Sequence, residues 1–372
     1  MANFMIIIDG LWDNEKQNQI LQSKLREFDG FSLLYKGFSG YFKNSLGNKP
    51  VDSLNCISTL LGIPENKIPN GRAYMEALAN NIYPEDNDLV LRCNLITLNE
   101  EKIIVSNSAK ISESKAKEVF KKLNQKFNNK GYYFYHTGSY RGLLILKDKK
   151  HYLGSLKFQP PHENIGNKLI IFEKSAYGDI LNEIIFESQS IGKETTDINL
   201  SVSLWSEAVK ESLPQYDNYI KGKTAIISGT SVVNGIGKAM GIDIFDDMEF
   251  TGDTDTNLNK KLMLALSLKK NYENIIIHIN GADEASHRKN FEEKLTFLNK
   301  IGRSFIQEII NKSELNDRIL VCSDHSSDSQ TGKHIGDYQM FWLYYKDIIK
   351  NTTDLIFNGK QAFSILNNRE EY

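Results

Sequence analysis

Runs of apolar, β-branched residues recur along the chain at intervals that fit a layered α/β fold. Four of these runs predict buried strands, over residues 4–8, 225–228, 275–279 and 319–322. Apolar positions at helical spacing predict helices over residues 257–269 and 289–312. Because strands alternate with helices, we expect a mostly parallel sheet with helices packed on both of its faces.

The middle of the chain has a different pattern. It predicts a strand, a helix that begins at Ser112 or Ser114, and a hairpin around Gly138 and Ser139, over residues 102–105, 112–127, 132–136 and 140–146. We interpret this stretch as a small α+β lid, residues 99–167, inserted into a discontinuous core. The core then consists of residues 1–98 and 168–372.

Composition and charge narrow the class of protein. The 372 residues can bury one large core or two smaller ones, and 40% hydrophobic with 25% charged residues is ordinary for a soluble protein. A formal net charge of −2 gives no general positive field of the kind that nucleic-acid binding needs. No apolar run reaches the roughly 18 residues of a membrane span. We therefore expect a small-molecule partner, and the oligomeric state stays open.

The cysteines and the N-terminus bear on the compartment. Cys56, Cys93 and Cys322 are far apart and form no CxxC pair, which argues against a disulfide framework and against a thiolate zinc site. This usage indicates a reducing compartment, and we expect the cytoplasm. The first ten residues, MANFMIIIDG, lack a basic leader and predict a first strand rather than a signal peptide.

Acidic residues stand where the predicted strands end. Asp9 ends the first strand, Asp283 follows IIIHIN, and Asp324 with His325 follows ILVCS. The carboxyl ends of parallel strands share one edge of the sheet, where α/β proteins bind ligands. Each aspartate taken alone is also typical of a turn or a helix cap, but together they predict a site at this edge.

Histidines at matching spacings add to this predicted site. His287 follows Asp283 by four residues, on one face if a helix begins there, and His334 lies nine residues after His325. Mixed carboxylate and imidazole ligands suit manganese, zinc or cobalt better than an all-oxygen magnesium or calcium site. Three aspartates and three histidines are enough for two neighbouring ions.

A serine nucleophile is also predicted. Ser53, in VDSLNCISTLLG, stands at the start of a predicted helix, and it either only caps that helix or also binds phosphate there. A metal ion on its oxygen would lower the pKa of the hydroxyl and make it a nucleophile. The pattern alone does not favour Ser53 over Ser45 or Ser58.

Ten stretches in order give the chain a family resemblance. They are IIIDG, DSLNCISTLLG, NGRAYMEAL, LRCNLITL, SYRGLLIL, PPHENIGNK, VVNGIGKAMGI, FTGDTDTNL, HINGADEASH and SDHSSDSQTGKHIGD. Over nearly its whole length the chain resembles the archaeal-type cofactor-independent (2,3-bisphosphoglycerate-independent) phosphoglycerate mutases of the alkaline phosphatase superfamily. The resemblance implies an α/β fold and two divalent ions (manganese, zinc, cobalt or magnesium). It also implies interconversion of 3- and 2-phosphoglycerate through a phosphoserine.

The resemblance also implies roles for individual residues. One ion would be held by Asp283, His287 and His334, and the other by Asp9, Asp324, His325 and the nucleophile Ser53. Arg92, Arg141 and Arg72 would clamp phosphate and carboxylate, since a guanidinium bonds such groups with two parallel hydrogen bonds. His162, in PPHEN, would bind substrate or exchange a proton. A surface ion pair for each arginine and a structural role for His162 stay open.

The chain departs from the family pattern away from the predicted metal ligands. Trp205 lies where a WGxG segment is usual, Asn234 where a lysine is common, and Gly142 where histidine is frequent. Leu54 and Ile57 replace polar residues after Ser53, and residues 338–340 replace prolines. These changes leave two alternatives open. One is a phosphohydrolase or phosphomutase for another phosphorylated or phosphonate substrate, and the other is a binding module without turnover.

Overall fold

The computed structural model of the chain describes residues 2–44, 47–336, 338–346 and 351–367, with only the backbone described over residues 351–355. The described residues form fifteen strands: β1 (Asn3–Ile8), β2 (Phe38–Lys43), β3 (Leu89–Leu98), β4 (Ile104–Ser106), β5 (Tyr132–Gly138), β6 (Arg141–Leu146), β7 (Leu200–Ala208), β8 (Thr224–Ile227), β9 (Asp243–Phe245), β10 (Asn274–Ile279), β11 (Arg318–Cys322), β12 (Ser326–Asp328), β13 (Lys333–Ile335), β14 (Gln339–Tyr344) and β15 (Asn351–Asn358).

Twelve α-helices lie between these strands in the described ranges: α1 (Glu15–Glu27), α2 (Phe31–Leu34), α3 (Ser53–Leu60), α4 (Arg72–Ala79), α5 (Glu113–Phe127), α6 (Ala176–Thr195), α7 (Ser231–Ala239), α8 (Leu258–Leu268), α9 (Gly281–His287), α10 (Phe291–Ile301), α11 (Gln307–Lys312) and α12 (Ala362–Asn367). A π-helical turn, Gly302–Ile306, joins α10 to α11. Among the described helices, none combines the length and hydrophobicity that crossing a bilayer requires.

Contacts within the chain define two units. The first consists of Met1–Pro69 together with Leu213–Tyr372, and the second of Asn70–Ser212. The first unit is built on an eight-stranded sheet in the order β15-β2-β14-β11-β1-β10-β8-β9. Strands β11, β1, β10, β8 and β9 are parallel, while β14 runs antiparallel to both of its neighbours. This confirms the predicted α/β class with a mostly parallel sheet.

The four strands predicted from apolar runs are β1, β8, β10 and β11, which lie side by side in the middle of this sheet. Every residue of these four strands is buried. Burying an isoleucine or valine side chain contributes about 1.5–3 kcal/mol relative to leaving it in water. Continuous apolar runs therefore suit strands that are covered on both faces. The carboxyl ends of these strands form the edge of the sheet that carries the candidate site.

The second unit has its own sheet and its own core. Strand β3 lies at its centre, paired antiparallel with β6 and β4 along one edge and with β7 along the other, and β5 pairs with β6. Buried side chains of α5 and α6 pack with apolar residues of this sheet. The unit is broader than the predicted insertion of residues 99–167, because β3 and β7, more than 100 residues apart in sequence, pair in this sheet. A lid role for residues 99–167 stays a prediction.

Candidate metal centre and arginine cluster

Three neighbouring strands bring the predicted aspartates to one edge of the first unit's sheet. Asp9 directly follows β1, Asp324 lies two residues beyond the end of β11, and Asp283 is in the first turn of α9, just after β10. Strands β11, β1 and β10 are adjacent. All three carboxylates are buried. The topology therefore places three acidic groups together in the interior of the protein.

Asp283, His287 and His334 form the first group of candidate ligands. His287 Nε2 is 3.1 Å from Asp283 Oδ2, and His334 Nε2 is 3.4 Å from Asp283 Oδ1. The two Nε2 atoms are 3.2 Å apart. The four-residue spacing on α9 explains the first contact, because Asp283 and His287 lie one helical turn apart.

The outer nitrogens of these two histidines are held by the backbone. His287 Nδ1 is 2.9 Å from the Gly332 carbonyl oxygen, and His334 Nδ1 is 3.0 Å from the Val51 carbonyl oxygen. A carbonyl oxygen only accepts, so both rings carry a proton on Nδ1, and Nε2 is the nitrogen that faces Asp283. Metal-binding histidines are fixed in this way in most proteins.

Asp9, Asp324, His325 and Ser53 form the second group. His325 Nε2 is 3.4 Å from Asp9 Oδ1 and 3.3 Å from Asp324 Oδ2. Ser53 Oγ is 3.2 Å from Asp9 Oδ2 and 3.4 Å from His325 Nε2. Ligand atoms of Asp9, Asp324 and His325 lie within 4.8 Å of one another, as do those of Asp283, His325 and His334. The two groups are thus contiguous, and His325 lies between them.

The second group has buried carboxylate oxygens that lack a hydrogen-bond partner and that a cation would bind. Asp9 Oδ1 and Asp324 Oδ2 are buried, and neither has a hydrogen-bond partner among the described residues. Burial and the neighbouring carboxylates Asp324 and Asp283 raise the pKa of Asp9 well above its usual value. Burial and Asp283 likewise raise the pKa of Asp324 to about 7. Two ionised carboxylates in this position are costly unless a cation lies between them, so the residues fit a divalent metal ion.

The first group has the opposite electrostatic balance. Burial raises the pKa of Asp283, but hydrogen bonds from His287 and His334 outweigh it and hold the pKa well below its usual value. Burial acts against the charged form of His287, yet Asp283 raises its pKa to about 9.

His325, in the second group, has the opposite shift. Burial and the neighbouring His334 lower the pKa of His325 to about 3. The neutral His325 imidazole is the form that binds metals.

Ser53 is the first residue of helix α3, but it does not cap the helix. The N-cap is Asp52, whose side chain accepts a hydrogen bond from the Asn55 backbone N–H at 2.8 Å. Ser53 Oγ is therefore available to the acidic group. Ser58 lies within the same helix, and its buried Oγ has no hydrogen-bond partner among the described residues. Ser45, the third serine that the pattern allowed, lies outside the described residues.

His278 belongs to this centre, although the sequence pattern did not indicate it. It is fully buried in β10, with Nε2 3.2 Å from Asp9 Oδ2 and Nδ1 3.4 Å from Ser228 Oγ. Burial and the neighbouring Lys261 lower the pKa of His278 to about 3, which favours the neutral ring. A histidine within a run of aliphatic residues is typical of a residue in the hydrophobic core, so the pattern did not mark it as a ligand. The only signal in the sequence was its position one residue before the end of a strand.

The predicted substrate residues Arg92 and Arg72 meet in the second unit. Arg92 is buried, with Nε 2.9 Å from Glu76 Oε2, and Arg72 Nε is 3.7 Å from Glu76 Oε1. Burial lowers the pKa of Arg92 to about 10 despite its contact with Glu76. A single carboxylate faces two guanidinium groups, so the cluster keeps positive charge for an anionic ligand. Glu76 was missed, although it lies four residues after Arg72 on α4.

Trp205 links the other members of this cluster. The Arg92 guanidinium carbon lies 3.9 Å from the centre of the Trp205 ring, and the His162 ring meets the same indole edge-on at 6.0 Å. Arg141 lies opposite Asn94 across the β3–β6 pair and acts electrostatically on Arg92. Arg92 and His162 therefore share contacts with Trp205, which the sequence marked only as a departure, while Arg72 and Arg141 are electrostatic neighbours of Arg92.

Two of the other departures have a structural cause. Gly142 faces Phe120 of α5, and a Cβ atom at position 142 would lie 2.3 Å from two atoms of that ring, so a side chain there requires its surroundings to shift. Asn234 Nδ2 is 3.1 Å from the Ser228 carbonyl oxygen and 3.2 Å from Asp246 Oδ2. Asn234 thus stabilises the loop after β8 and brings no positive charge.

Comparison with known proteins gives a consistent set of relatives. A family model described as 2,3-bisphosphoglycerate-independent phosphoglycerate mutase matches residues 35–198. The protein of that name from Methanosarcina barkeri is 26% identical over an alignment of 320 positions, and the alignment covers 82% of this chain and 79% of the relative. The protein of the same name from Sulfurisphaera tokodaii is 27% identical over 328 residues, with 82% and 78% covered. One from Saccharolobus islandicus is 26% identical over an alignment of 388 positions, with 96% and 92% covered.

Two solved structures resemble the whole chain. The PH0037 protein of Pyrococcus horikoshii matches with a TM-score of 0.74 at 17% identity, covering 100% of this chain and 98% of that one. The cofactor-independent phosphoglycerate mutase of Thermoplasma acidophilum matches with a TM-score of 0.58 at 16% identity, covering 98% of each chain. These likenesses show that the chain shares the fold of both proteins.

Proposed function

This chain is a divergent relative of the archaeal-type 2,3-bisphosphoglycerate-independent phosphoglycerate mutases, and we propose that it is an isomerase that interconverts 3- and 2-phosphoglycerate. The position of Ser53 is the main support for this proposal. Its hydroxyl lies 3.2 Å from Asp9 Oδ2 and 3.4 Å from His325 Nε2, at the start of helix α3. A nucleophile needs this combination of acidic ligands, an imidazole and the positive end of a helix to attack a phosphoryl group.

In this proposal Asp283, His287 and His334 hold one divalent ion, and Asp9, Asp324, His325 and Ser53 hold the other. Two bound ions (manganese, zinc, cobalt or magnesium) would supply the positive charge that makes Ser53 nucleophilic and stabilises the transferring group. Ser53 gives up its hydroxyl proton as Oγ forms a bond to phosphorus, the bond from phosphorus to the substrate oxygen breaks, and that oxygen takes up a proton, which leaves a phosphoserine and glycerate. The glycerate turns, and its other hydroxyl takes the phosphoryl group from Ser53.

The arginine cluster has the chemistry to hold a phosphorylated acid. Arg72, Arg92 and Arg141 would bind its anionic groups, with Glu76 and Trp205 fixing the orientation of the Arg92 guanidinium. His162, packed against Trp205, would hydrogen-bond the substrate. Residues 99–167 would act as the lid that excludes water, so that the phosphoserine returns its group to glycerate rather than to water.

The same proposal includes the partner and the compartment. Besides the two metal ions, the proposal requires only a small phosphorylated acid as partner, and neither nucleic acid nor a membrane has a part in it. The three cysteines are buried and free, which suits a reducing compartment, and we place the protein in the cytoplasm. The number of subunits stays open.

Phosphorus NMR of 3-phosphoglycerate incubated with the manganese-loaded protein tests the proposal. We expect a growing 2-phosphoglycerate signal, and the reverse reaction from 2-phosphoglycerate. Because Ser53→Ala removes the nucleophile, the same sample prepared from that variant should show neither signal. Unchanged 3-phosphoglycerate in the presence of folded, metal-bound protein would refute the mutase proposal.

Asn234 favours a second candidate, a phosphohydrolase or phosphomutase for a different phosphorylated or phosphonate substrate. Its side chain is bonded to Ser228 and Asp246 and gives no charge where the family commonly has a lysine. Losing a positive charge beside a phosphoryl group reduces the stabilisation of the transition state. Release of inorganic phosphate from members of a broad phosphoester panel, with 3-phosphoglycerate unchanged, would favour a hydrolase. No release from any member would exclude that form.

A further inference from the structure

Ser327 lies between the two groups of candidate ligands. Its side chain is fully buried, and Oγ is 2.5 Å from Asp283 Oδ1 and 3.3 Å from His325 Nδ1. Asp283 belongs to the first group and His325 to the second. Ser327 is also the strand partner of His334 in the β12–β13 pair. One hydroxyl therefore contacts a ligand from each group and neighbours a third.

The chemistry of these contacts fixes the direction of both hydrogen bonds. An ionised carboxylate only accepts, so Ser327 donates its single proton to Asp283. Its oxygen is then free to accept, and the His325 Nδ1–H is the donor at 3.3 Å. With the ring proton on Nδ1, the lone pair of His325 Nε2 is directed toward Asp9, Asp324 and Ser53.

Ser327 is itself held firmly in place. Its backbone N–H donates to the Trp12 carbonyl at 2.9 Å, and its carbonyl accepts from Lys294 Nζ at 3.0 Å. The fully buried Lys294 ammonium also bonds the Asp13 carboxylate at 2.9 Å and the Trp12 carbonyl at 2.9 Å. A hydroxyl on so constrained a backbone can orient the side chains that it contacts.

We propose that Ser327 is a positioning residue that orients Asp283 and His325 together and thereby couples the two metal sites. The inference rests on the metal binding contained in the proposed function. It predicts that loss of the hydroxyl weakens both ions, because each group loses the partner that fixes one of its ligands. Outer-sphere partners of this kind change metal affinity by about 10–100-fold.

Calorimetric titration of the metal-free protein with manganese tests the coupling. Wild type should bind two ions, Ser327→Ala should bind both about 10–100-fold more weakly, and Ser327→Thr, which keeps the hydroxyl, should recover most of the affinity. Ser326→Ala is the matched control. It removes a buried hydroxyl from the adjacent residue, whose Oγ contacts Gln339 and none of the proposed ligands. This control should bind both ions as wild type does.

Wild-type affinity for both ions in Ser327→Ala, or weakening of one ion alone, would overturn the inference while leaving the proposed function intact. Failure of wild type to bind any divalent ion would instead overturn the proposed function. Nitrogen-15 NMR of histidine-labelled wild type provides a second measurement that does not depend on the folding of a variant. We expect the His325 proton on Nδ1, and a proton on Nε2 in the metal-free protein would contradict the inferred hydrogen bonds.

Discussion

Two serines of helix α3, Ser53 and Ser58, differ in the polar contacts of their side chains and so in their expected roles. Ser53 Oγ contacts Asp9 and His325, whereas the buried Ser58 Oγ has no hydrogen-bond partner among the described residues. We expect Ser53→Ala to abolish phosphoryl transfer, by at least about 10³-fold, because no other group replaces the nucleophile. Ser58→Ala should keep near wild-type turnover. Measuring kcat for both variants decides between them, and equal loss in Ser58→Ala would show that the nucleophile was misassigned.

His325 gives an independent prediction at the same scale. It is the residue shared by the two clusters of metal-binding atoms, and its Nε2 is 3.4 Å from Ser53 Oγ. We expect His325→Ala to remove turnover and to lower the number of tightly bound ions, measured by metal analysis after gel filtration. Full metal content together with wild-type turnover in this variant is the result that would contradict the assignment.

Gly142 gives a prediction about stability rather than chemistry. A Cβ atom there would lie 2.3 Å from the Phe120 ring and 2.7 Å from the Tyr135 carbonyl oxygen. We expect Gly142→Ala to lower the free energy of unfolding by roughly 1–3 kcal/mol, the usual cost of overpacking. Urea unfolding measures it. Adding Phe120→Leu should recover part of the loss, and additive effects of the two substitutions would count against direct contact as the cause.

Sequence reasoning at this scale found the groups whose position follows from topology. Asp9, Asp283 and Asp324 follow buried strands, and parallel strands bring their carboxyl ends together. It missed His278 and Ser327, because a histidine in an aliphatic strand and a serine in a polar run have many ordinary roles. Their importance comes from contacts with residues 269 and 44 positions away in sequence, which no local pattern encodes.

At the element scale, Lys294 fastens helix α10 to the loop after β1. Its fully buried ammonium bonds Asp13 and the carbonyls of Trp12 and Ser327. We expect Lys294→Met to lower the free energy of unfolding by about 3–5 kcal/mol, since the Asp13 carboxylate would stay buried without its partner. Denaturant unfolding of the metal-free protein checks the value.

The double variant Lys294→Met with Asp13→Asn is the control for this ion pair. It removes both charges, so we expect it to be more stable than Lys294→Met alone. A double variant that is no more stable than the single one would show that the lost hydrogen bonds to Trp12 and Ser327, rather than an unpaired charge, cause the effect.

Elements were predictable where one local signal dominated. Helix α5 begins after Ser112, which accepts a hydrogen bond from the Lys115 backbone N–H, as one of the two predicted caps. The helix predicted over residues 289–312 is divided by the π-helical turn Gly302–Ile306. There Gly302 passes so close to the Asp29 carbonyl that a Cβ atom would lie 2.4 Å from it. That contact comes from tertiary packing, and the helical period cannot reveal it.

At the scale of the whole molecule, the second unit is one continuous stretch of chain with its own sheet and core. Its two ends are tied together, because the Asn70 backbone N–H donates to the Glu211 carboxylate at 3.0 Å. We expect the isolated segment 70–212 to fold cooperatively, with a single sigmoidal urea transition measured by circular dichroism. A shorter segment, residues 99–167, lacks β3 and β7 and should not fold. Folding of the shorter segment alone would restore the narrower boundary.

The difference between these two boundaries shows where sequence reasoning reaches its limit. The segment over residues 99–167 was recognisable from its helix and hairpin. Strand β3 precedes this segment, and its apolar residues are typical of a buried strand, so the prediction placed it in the α/β core. Its assignment depends on β7, which pairs with it over Val90–Thr97 and follows after more than 100 residues. Long-range pairing of this kind is a property of the whole chain rather than of any window along it.

Metal removal tests the whole protein, because the candidate ligands come from several elements of the first unit. Asp9 and Asp324 are buried close together, and without a cation their repulsion opposes folding. Ions that bind only the folded state stabilise it by about 2.7 kcal/mol at a concentration 100 times the dissociation constant. We therefore expect chelation to abolish turnover and to lower the melting temperature by several degrees, and manganese, cobalt or zinc to restore both.

Asp324→Asn is the matched control for this last prediction. The substitution keeps the shape of the side chain and removes one of the two opposing charges, so the chelated variant should melt at a higher temperature than the chelated wild type. Because a metal ligand has been weakened, added manganese should raise its melting temperature by less. Repulsion between the buried carboxylates therefore predicts that Asp324→Asn has the higher melting temperature without metal and the smaller increase with manganese. Turnover that survives exhaustive chelation, with an unchanged melting temperature, would refute the metal-dependent mechanism.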